Sequence, residues 1–144
     1  MLRHTRSDET KVQCVASILS ASTTDINGAS VDAGPGNEVE FEANVGASLD
    51  TLSGSVYVLL ELEHCDDNAT WVDCADADLD VAVAGTNTGT WAKIDDPAED
   101  ETLVTVNYIG GKRYVRPVVN KTGTHTNGIP IGVVGRVCAK RYKP

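Results

Sequence analysis

Hydrophobic and polar residues alternate along several short segments of this chain. Residues 38–45 (EVEFEANV) are the clearest case, because every odd-numbered position is apolar and every even-numbered position is polar. A period of two is typical of a β-strand that buries one face. Residues 55–64 (SVYVLLELEH) continue the pattern with their even-numbered apolar positions inward. The turn-forming residues 65–70 (CDDNAT) come next, so residues 55–64 and 70–74 are predicted to form a hairpin.

The remaining strand candidates are separated by clusters of Gly, Asn, Asp and Pro. They are residues 12–19, 90–94, 102–108, 112–120 and 131–140. Together with the three segments above they give about eight strands. Many short strands with punctuated turns are typical of an all-β fold. The pattern therefore predicts a single-domain β-sandwich, jelly-roll-like, with extended termini.

Three features depart from the regular pattern. Pro117 interrupts the seventh candidate, and because proline has no backbone N–H we expect an edge, a bulge or a bend there. Residues 74–84 (CADADLDVAVA) are the only helical candidate and predict a single turn. Residues 20–37 form the longest unpatterned stretch, which we interpret as a long surface loop or an extended arm.

Length and composition limit how the core is built. The chain has 144 residues, of which 41% are hydrophobic but only 5% aromatic, with a single Phe. One domain with a core of Val, Ile, Leu and Ala is expected. We divide the chain into an N-terminal arm (1–11), a β-sandwich domain (12–138) and a basic C-terminal tail (139–144). The predicted core includes Val39, Phe41, Val56, Val58, Leu60, Tyr114, Val118 and Val133.

Charge is distributed unevenly along the chain. The formal net charge is -9 and the pI is about 4.6, which argues against nucleic acid as the partner. Residues 25–101 contain nineteen acids and one base, whereas residues 102–144 contain eight bases and no acid. Two interpretations are open. Acidic strands pair with basic strands across one sheet, or the surface has an acidic and a basic face suited to docking on other subunits.

The cysteines do not have the spacing of a zinc site. Cys14, Cys65, Cys74 and Cys138 include no C-x2-C pair, and the nearest two are separated by eight intervening residues. We therefore expect free, partly buried thiols.

Other candidate metal ligands also lack the necessary pattern. Asp76, Asp78 and Asp80 resemble the start of a calcium loop, but Val81 stands where Gly is needed and Asn87 where a bidentate Glu is needed. The dense acidic turn at residues 95–101 is interpreted as a solvated loop. No metal and no cofactor are predicted.

The sequence contains no recognisable catalytic motif. His4, His64 and His125 form no pattern with a nucleophile, and the Gly-rich segments 85–90 and 109–112 lack a strand-to-helix phosphate loop. The chain is expected not to be an enzyme. No apolar run approaches the roughly 18 to 20 residues of a membrane span, and residues 1–11 are too polar for a signal peptide. Synthesis in a cytosol and no membrane partner are expected.

From Leu60 onward the order of several segments carries a family resemblance. These segments are residues 63–73 (EHCDDNATWVD), 75–79 (ADADL), 108–116 (YIGGKRYVR), 122–134 (TGTHTNGIPIGVV) and the basic tail 139–144. The chain resembles small structural proteins encoded in the head modules of tailed bacteriophages. It departs from them at Cys65 and Cys74, where Ser and a small or apolar residue are expected, and at Pro117, within a usually regular strand.

The resemblance implies a virion structural part of the capsid decoration, or cement, type. Such a protein binds the outer surface of the major capsid protein shell and stabilises it, after synthesis in the host cytoplasm. A homo-oligomer is implied, with a trimer as our expectation, because decoration sites often have local threefold symmetry. The chain ends are predicted to contact the capsid or neighbouring subunits through Arg3, Arg6, Lys11, Lys140, Arg141 and Lys143.

Two alternatives stay open. A tail or connector component would form an oligomeric ring with a long hairpin or loop. A carbohydrate-binding β-sandwich of a receptor-binding spike would present Trp71, Trp91 and Tyr57 as an exposed aromatic platform. Exposure of the two tryptophans distinguishes this last alternative.

Overall fold

The computed structural model of the chain describes residues 11–19, 22–34 and 38–138. Ten strands lie in these ranges: β1 (Lys11–Leu19), β2 (Ile26–Asn27), β3 (Val31–Asp32), β4 (Glu38–Val45), β5 (Tyr57–Cys65), β6 (Val72–Asp73), β7 (Thr90–Ile94), β8 (Thr102–Tyr108), β9 (Tyr114–Thr122) and β10 (Pro130–Cys138). A 3₁₀ turn, Asp76–Asp78, lies in the segment where a single helical turn is predicted. Lys11 is the one residue of the predicted arm within the described ranges, and the predicted tail lies outside them.

The strands form two antiparallel sheets, which confirms the prediction of an all-β sandwich. The four-stranded sheet has the order β1-β10-β4-β8. In the six-stranded sheet β9 and β5 are central, the short β2 and β3 both pair with β9, and β6 and β7 both pair with β5. Each edge of this second sheet is therefore shared by two short strands, so both layers are four strands wide.

Each of the eight predicted segments overlaps a strand of the structure, and β4, β7 and β8 have the predicted bounds. The interpretation of residues 20–37 as a loop or arm is wrong for β2 and β3. Val31 and Ala33 are fully buried, and β3 pairs with β9. Two-residue strands are too short to show a period of two, so only their pairing with β9 reveals them.

Pro117 lies in the middle of β9, opposite Leu62 of β5, and the register between these strands is continuous. Of the predicted edge, bulge or bend, no bulge occurs against β5. On its other side β9 has no strand partner at Pro117 and is a local edge, because β2 pairs with residues 118–119 and β3 with residues 114–115. In the gap between β2 and β3, Gly28 N–H donates to the Pro117 carbonyl oxygen at 2.8 Å. Because N–H and C=O of one strand residue point the same way, the absent proline N–H also faces this gap and removes no ladder bond.

The core lies between the inner faces of the two sheets. All four apolar positions of β4 are at most 1% exposed, as the alternation predicts. Of the predicted core positions in β9, Val118 is buried and Tyr114 is half-buried, but neither belongs to the main cluster between the sheets, because the pairing of Val119 with Leu60 turns the opposite parity of β9 inward. Val56 precedes β5 and is only half-buried. The predicted core positions of β4, β5 and β10 are confirmed: Val39, Phe41, Val58, Leu60 and Val133.

Candidate functional site

β8 forms one edge of the four-stranded sheet, and its sequence, TLVTVNY, has no charged residue. β4 covers one side of it. On the other side Asp80 N–H donates to the Asn107 carbonyl oxygen at 3.1 Å, and Asn107 N–H donates to Asp80 Oδ1 at 2.8 Å. Both backbone groups of Asn107 thus point away from β4.

Leu103 and Thr105 lie two and four positions before Asn107. Because the direction of backbone groups alternates along a strand, their N–H and C=O groups also point away from β4. Within the described ranges no hydrogen bond reaches these outward groups. The Leu103 side chain is 66% exposed, the largest value among the exposed large apolar residues. An uncharged edge strand with open backbone groups is a template for pairing with another chain.

Carboxylates flank this open edge at both ends. Residues 95–101 precede β8 and contain five acids, and Asp76, Asp78 and Asp80 lie towards its other end. Among these eight carboxylates the ion pair that the described residues show to a basic side chain of lysine or arginine is Lys93 with Asp95. We call β8 between residues 102 and 106, with these two acidic flanks, the β8 edge.

The acidic groups of residues 95–101 hold the turn together. Glu99 Oε2 accepts N–H bonds from Asp95 at 2.8 Å and Asp96 at 3.2 Å, and Asp100 Oδ2 accepts from Ser48 N–H at 2.8 Å. At the other flank Asp76 Oδ1 accepts from Gly89 N–H at 3.0 Å. Since Glu99, Asp100 and Asp76 are held by backbone donors and have no lysine or arginine partner among the described residues, their negative charge stays available to a partner.

A shallow groove of about 270 Å³ crosses the outer face of the four-stranded sheet beside Leu103. Leu103, Asn44 and Gly132 lie side by side on β8, β4 and β10. Gly132 has no side chain, so this row is low at its β10 end, and Val134 lies on the same face two residues further along β10. An apolar side chain from a strand added at the β8 edge would meet Leu103 at the groove wall.

Charges elsewhere in the sandwich are paired across the two sequence blocks. Four of the described bases of the C-terminal block form ion pairs with acids of the central block. The pairs are Lys112 with Asp66, Arg113 with Asp32, Arg116 with Glu63, and Arg136 with Glu40 and Glu42. At Lys121 it is the backbone N–H that donates to Asp25 Oδ1, at 2.8 Å. Within the described ranges this arrangement supports the first interpretation of the charge pattern, neutralisation between acidic and basic strands.

The pairing has visible effects on titration. The Arg113 guanidinium donates two hydrogen bonds to Asp32 and holds the pKa of that carboxyl below its usual range. Burial lowers the pKa of Lys121 although the charge of Asp25 opposes this. The remaining bases of the chain, apart from the paired Lys93 and the exposed Lys11, lie outside the described residues.

The outer face of the six-stranded sheet carries a buried carboxylate. Glu61 is 6% exposed and accepts hydrogen bonds from Asn87 Nδ2 at 2.8 Å, Asn120 Nδ2 at 3.1 Å and Thr90 Oγ1 at 3.4 Å. Desolvation raises the pKa of Glu61 against the effect of these donors. All three bonds come from this chain, so the carboxylate already has its partners.

The predicted aromatic platform is not assembled. Trp91 is 4% exposed and belongs to the core. Trp71 is half-buried beneath the Arg116 guanidinium, whose carbon lies 4.4 Å from the ring centroid, and Lys93 lies over Tyr57 at 5.0 Å. Two of the three rings are therefore capped by cations and the third is buried, which removes the surface that the carbohydrate-binding alternative requires.

The two described histidines are structural in their contacts. His64 Nδ1 lies 2.9 Å from the Tyr108 hydroxyl, and 3.9 Å from Asp78 Oδ2. His125 is fully buried and its Nε2 donates towards the carbonyl oxygens of Tyr57 and Thr122, both at 3.2 Å. Its Nδ1 is 3.8 Å from Asp50 Oδ2.

Cys14, Cys65 and Cys74 are buried and have free thiols. Burial raises the pKa of Cys14 to about 11 and moves the pKa of Cys74 in the same direction, so neither thiol is nucleophilic at neutral pH. The aspartates of the calcium-like run are spread out, with Asp76 bonded to Gly89 and Asp80 to Asn107. No group of three or more His, Cys, Asp or Glu side chains suited to a metal ion occurs among the described residues.

The predicted contact residues Arg3, Arg6, Lys140, Arg141 and Lys143 lie outside the described ranges. Lys11 is exposed and stands opposite Arg136 at the start of β1. Since Cys138 pairs with Glu38 and Val39 pairs with Tyr108, the described chain enters and leaves the sandwich at one end of the four-stranded sheet.

Sequence reasoning missed the β8 edge. The sequence feature that could have indicated it is an uncharged strand candidate, residues 102–108, directly after a run of acids.

Comparisons of the chain with protein-family models, with curated proteins and with solved structures give no match. Among the described residues no helix has the length and apolar character needed to span a membrane.

Proposed function

We propose that the protein is a virion structural component that binds other protein subunits, of the capsid decoration type. The observation that carries this proposal is the β8 edge: open backbone groups at Leu103 and Thr105 between two acidic flanks. The order of sequence segments from Leu60 onward, which resembles phage head-module proteins, supports the same class. The partners are the major capsid protein and further copies of the chain.

The β8 edge has the features of a subunit interface. An extended segment that adds to β8 gains backbone hydrogen bonds at two residues, and exposed Leu103 gives it an apolar contact. The acidic flanks attract basic segments and repel acidic ones, so they select the partner and its orientation. Decoration of a shell requires such a directional contact on a stable scaffold.

The proposal is tested by changing the β8 edge and measuring occupancy on undecorated capsids. Thr105→Pro removes an outward N–H and leaves the ladder with β4 intact, so the variant should fold. Thr105→Val keeps the N–H and serves as the matched control. We expect Thr105→Pro to bind about tenfold more weakly or worse, and Thr105→Val to bind like the parent chain.

Leu103→Gln is a second variant, because the Leu103 side chain is largely exposed and the uncharged replacement removes the apolar contact without adding a charge beside the acidic flanks. Loss of occupancy in this variant supports the apolar contact. Capsid occupancy equal to that of the parent chain in both Thr105→Pro and Leu103→Gln would contradict the proposal. Copy number in purified virions separates the classes: hundreds of copies indicate decoration, and about a dozen or fewer indicate a connector.

A further inference from the structure

We infer that the segment added to the β8 edge is residues 139–144 (AKRYKP) of a second copy of this chain. The inference rests on the proposed function, since it names the subunit that occupies the same edge. It has two supports on the molecule, charge and reach.

Charge selects a basic occupant. Lys112, Arg113, Arg116 and Arg136 are already paired with acids inside the sandwich, whereas the eight carboxylates beside the β8 edge share a single lysine partner. The six residues after Cys138 contain three bases and no acid. The equally basic segment 112–117 has its three bases in ion pairs within the sandwich, so residues 139–144 of a second copy are the segment that brings to this edge the charge that it lacks.

Reach excludes the chain's own tail. β10 and β8 are separated by β4, so a tail leaving Cys138 must travel about 14 Å across the strand ends to pass outside β8. It must then run back about 10 to 17 Å along β8 to meet Thr105 and Leu103. Six extended residues span at most about 20 Å. The edge is therefore filled by another copy, for which six residues match the open length of β8.

The N-terminal segment is the weaker candidate. It joins β1, at the edge of the sheet farthest from β8, and it includes Asp8 and Glu9 beside its two arginines. Like charges on the flanks of the β8 edge oppose these two acids.

Donation of one segment to the edge of the next copy is a head-to-tail contact. Each copy gives residues 139–144 and receives the same residues from a neighbour. Such contacts close into a ring when the rotation between copies fits, and a ring of three would be the trimer expected from the class.

The test is a complementation experiment without capsids. One variant is truncated after Cys138, so its edge is open but it has no segment to donate. The other is full-length Thr105→Pro, which keeps the segment but has a blocked edge. We expect each variant alone to be monomeric by sedimentation velocity, and an equimolar mixture to form a one-to-one complex that weakens at high salt.

Controls fix the interpretation. Full-length Thr105→Val should self-associate like the parent chain, and a full-length variant with Lys140, Arg141 and Lys143 all changed to Glu should be monomeric. If the truncated chain self-associates as well as the parent chain, or if the mixture forms no complex, the inference is wrong. If the mixture fails while Thr105→Pro still loses capsid occupancy, only the named segment is wrong and the proposed function survives.

Discussion

The Nδ1 atom of His64, on β5, lies 2.9 Å from the hydroxyl oxygen of Tyr108, on β8, so that one hydrogen bond joins the two sheets. The same hydroxyl accepts a bond from Lys112 N–H at 3.0 Å. With the hydroxyl as donor to His64, Nδ1 is the acceptor and the imidazole is neutral, with its proton on Nε2. We take this arrangement as the basis of the next prediction.

Stability should fall when His64 is protonated. Desolvation lowers the pKa of His64, and the nearby Lys112 lowers it further, while Asp78 and Asp66 oppose the shift. The unfolded chain thus binds the proton more readily, and the free energy of unfolding decreases as the pH falls through and below about 6.5. Urea unfolding at about pH 7.5 and about pH 5.5 measures this decrease.

His64→Gln should show a smaller decrease over the same range, since its amide does not titrate. Carboxylates with lowered pKa, such as Asp50, also lose stabilising charge in acid, so the difference between the two proteins is the informative quantity. His4→Gln is the control for a histidine outside the described ranges. Equal pH dependence in His64→Gln and the parent chain would disprove the role of the His64–Tyr108 bond.

Gly135 should tolerate no side chain. A Cβ at this position would lie 2.7 Å from Val31 Cγ2 and 2.9 Å from Phe41 Cε1, so the inner face of β10 has no room for it. Gly135→Ala is expected to cost about 1 to 3 kcal/mol of unfolding free energy through overpacking. Gly111→Ala, where no atom lies within 4 Å of the new Cβ, is the matched control. Similar melting curves for both variants would contradict this packing.

Among side-chain truncations in β4, Phe41→Ala should lower the free energy of unfolding most. The ring is fully buried between the sheets and is the only Phe of the chain. Phe41→Ala removes these contacts and leaves a cavity, which typically costs about 3 to 5 kcal/mol. Chemical unfolding measures the loss, and an unchanged denaturation midpoint would show that the core is placed wrongly.

Glu61 should stabilise the outer face through its hydrogen bonds rather than its charge. Glu61→Ala leaves the amides of Asn87 and Asn120 without their acceptor and is expected to cost about 1 to 3 kcal/mol. Glu61→Gln keeps one acceptor oxygen and avoids burying a charge, so it should cost less. The opposite order of the two variants in thermal unfolding would mean that the carboxylate charge itself is required.

The sequence pattern predicts the buried face of a strand correctly where only the odd-numbered or only the even-numbered positions are apolar. β4 alternates strictly, and its bounds and inward face were both predicted. β9 (YVRPVVNKT) has apolar residues at both parities, so only its register against Leu60 and Leu62 decides which face is buried. β2 and β3 depend wholly on β9 for their pairing. Local periodicity contains no information about such non-local partners.

The candidate site was hidden for a similar reason. Nothing in residues 102–108 reveals that β8 lies at an edge, because the order of strands in a sheet is set by pairing between distant segments. The basic chain ends are visible from their charge, but the surface that we propose for them depends on the fold. The acidic run 95–101 is interpreted from the sequence as a solvated loop, and only the fold shows that it lies beside an open edge.

Neighbouring strands β1 and β10 bring the two ends of the sandwich together, with Lys11 directly opposite Arg136. The strand order of the sheet therefore does not depend on the chain having its two ends at β1 and β10. A circular permutant that joins these ends through a short linker and opens in the turn at residues 85–88, where every residue except Thr86 is exposed, would retain every strand pair. Its residues 139–144 would become an internal tether, unable to pass between copies, so the permutant would separate the folding of the sandwich from its assembly.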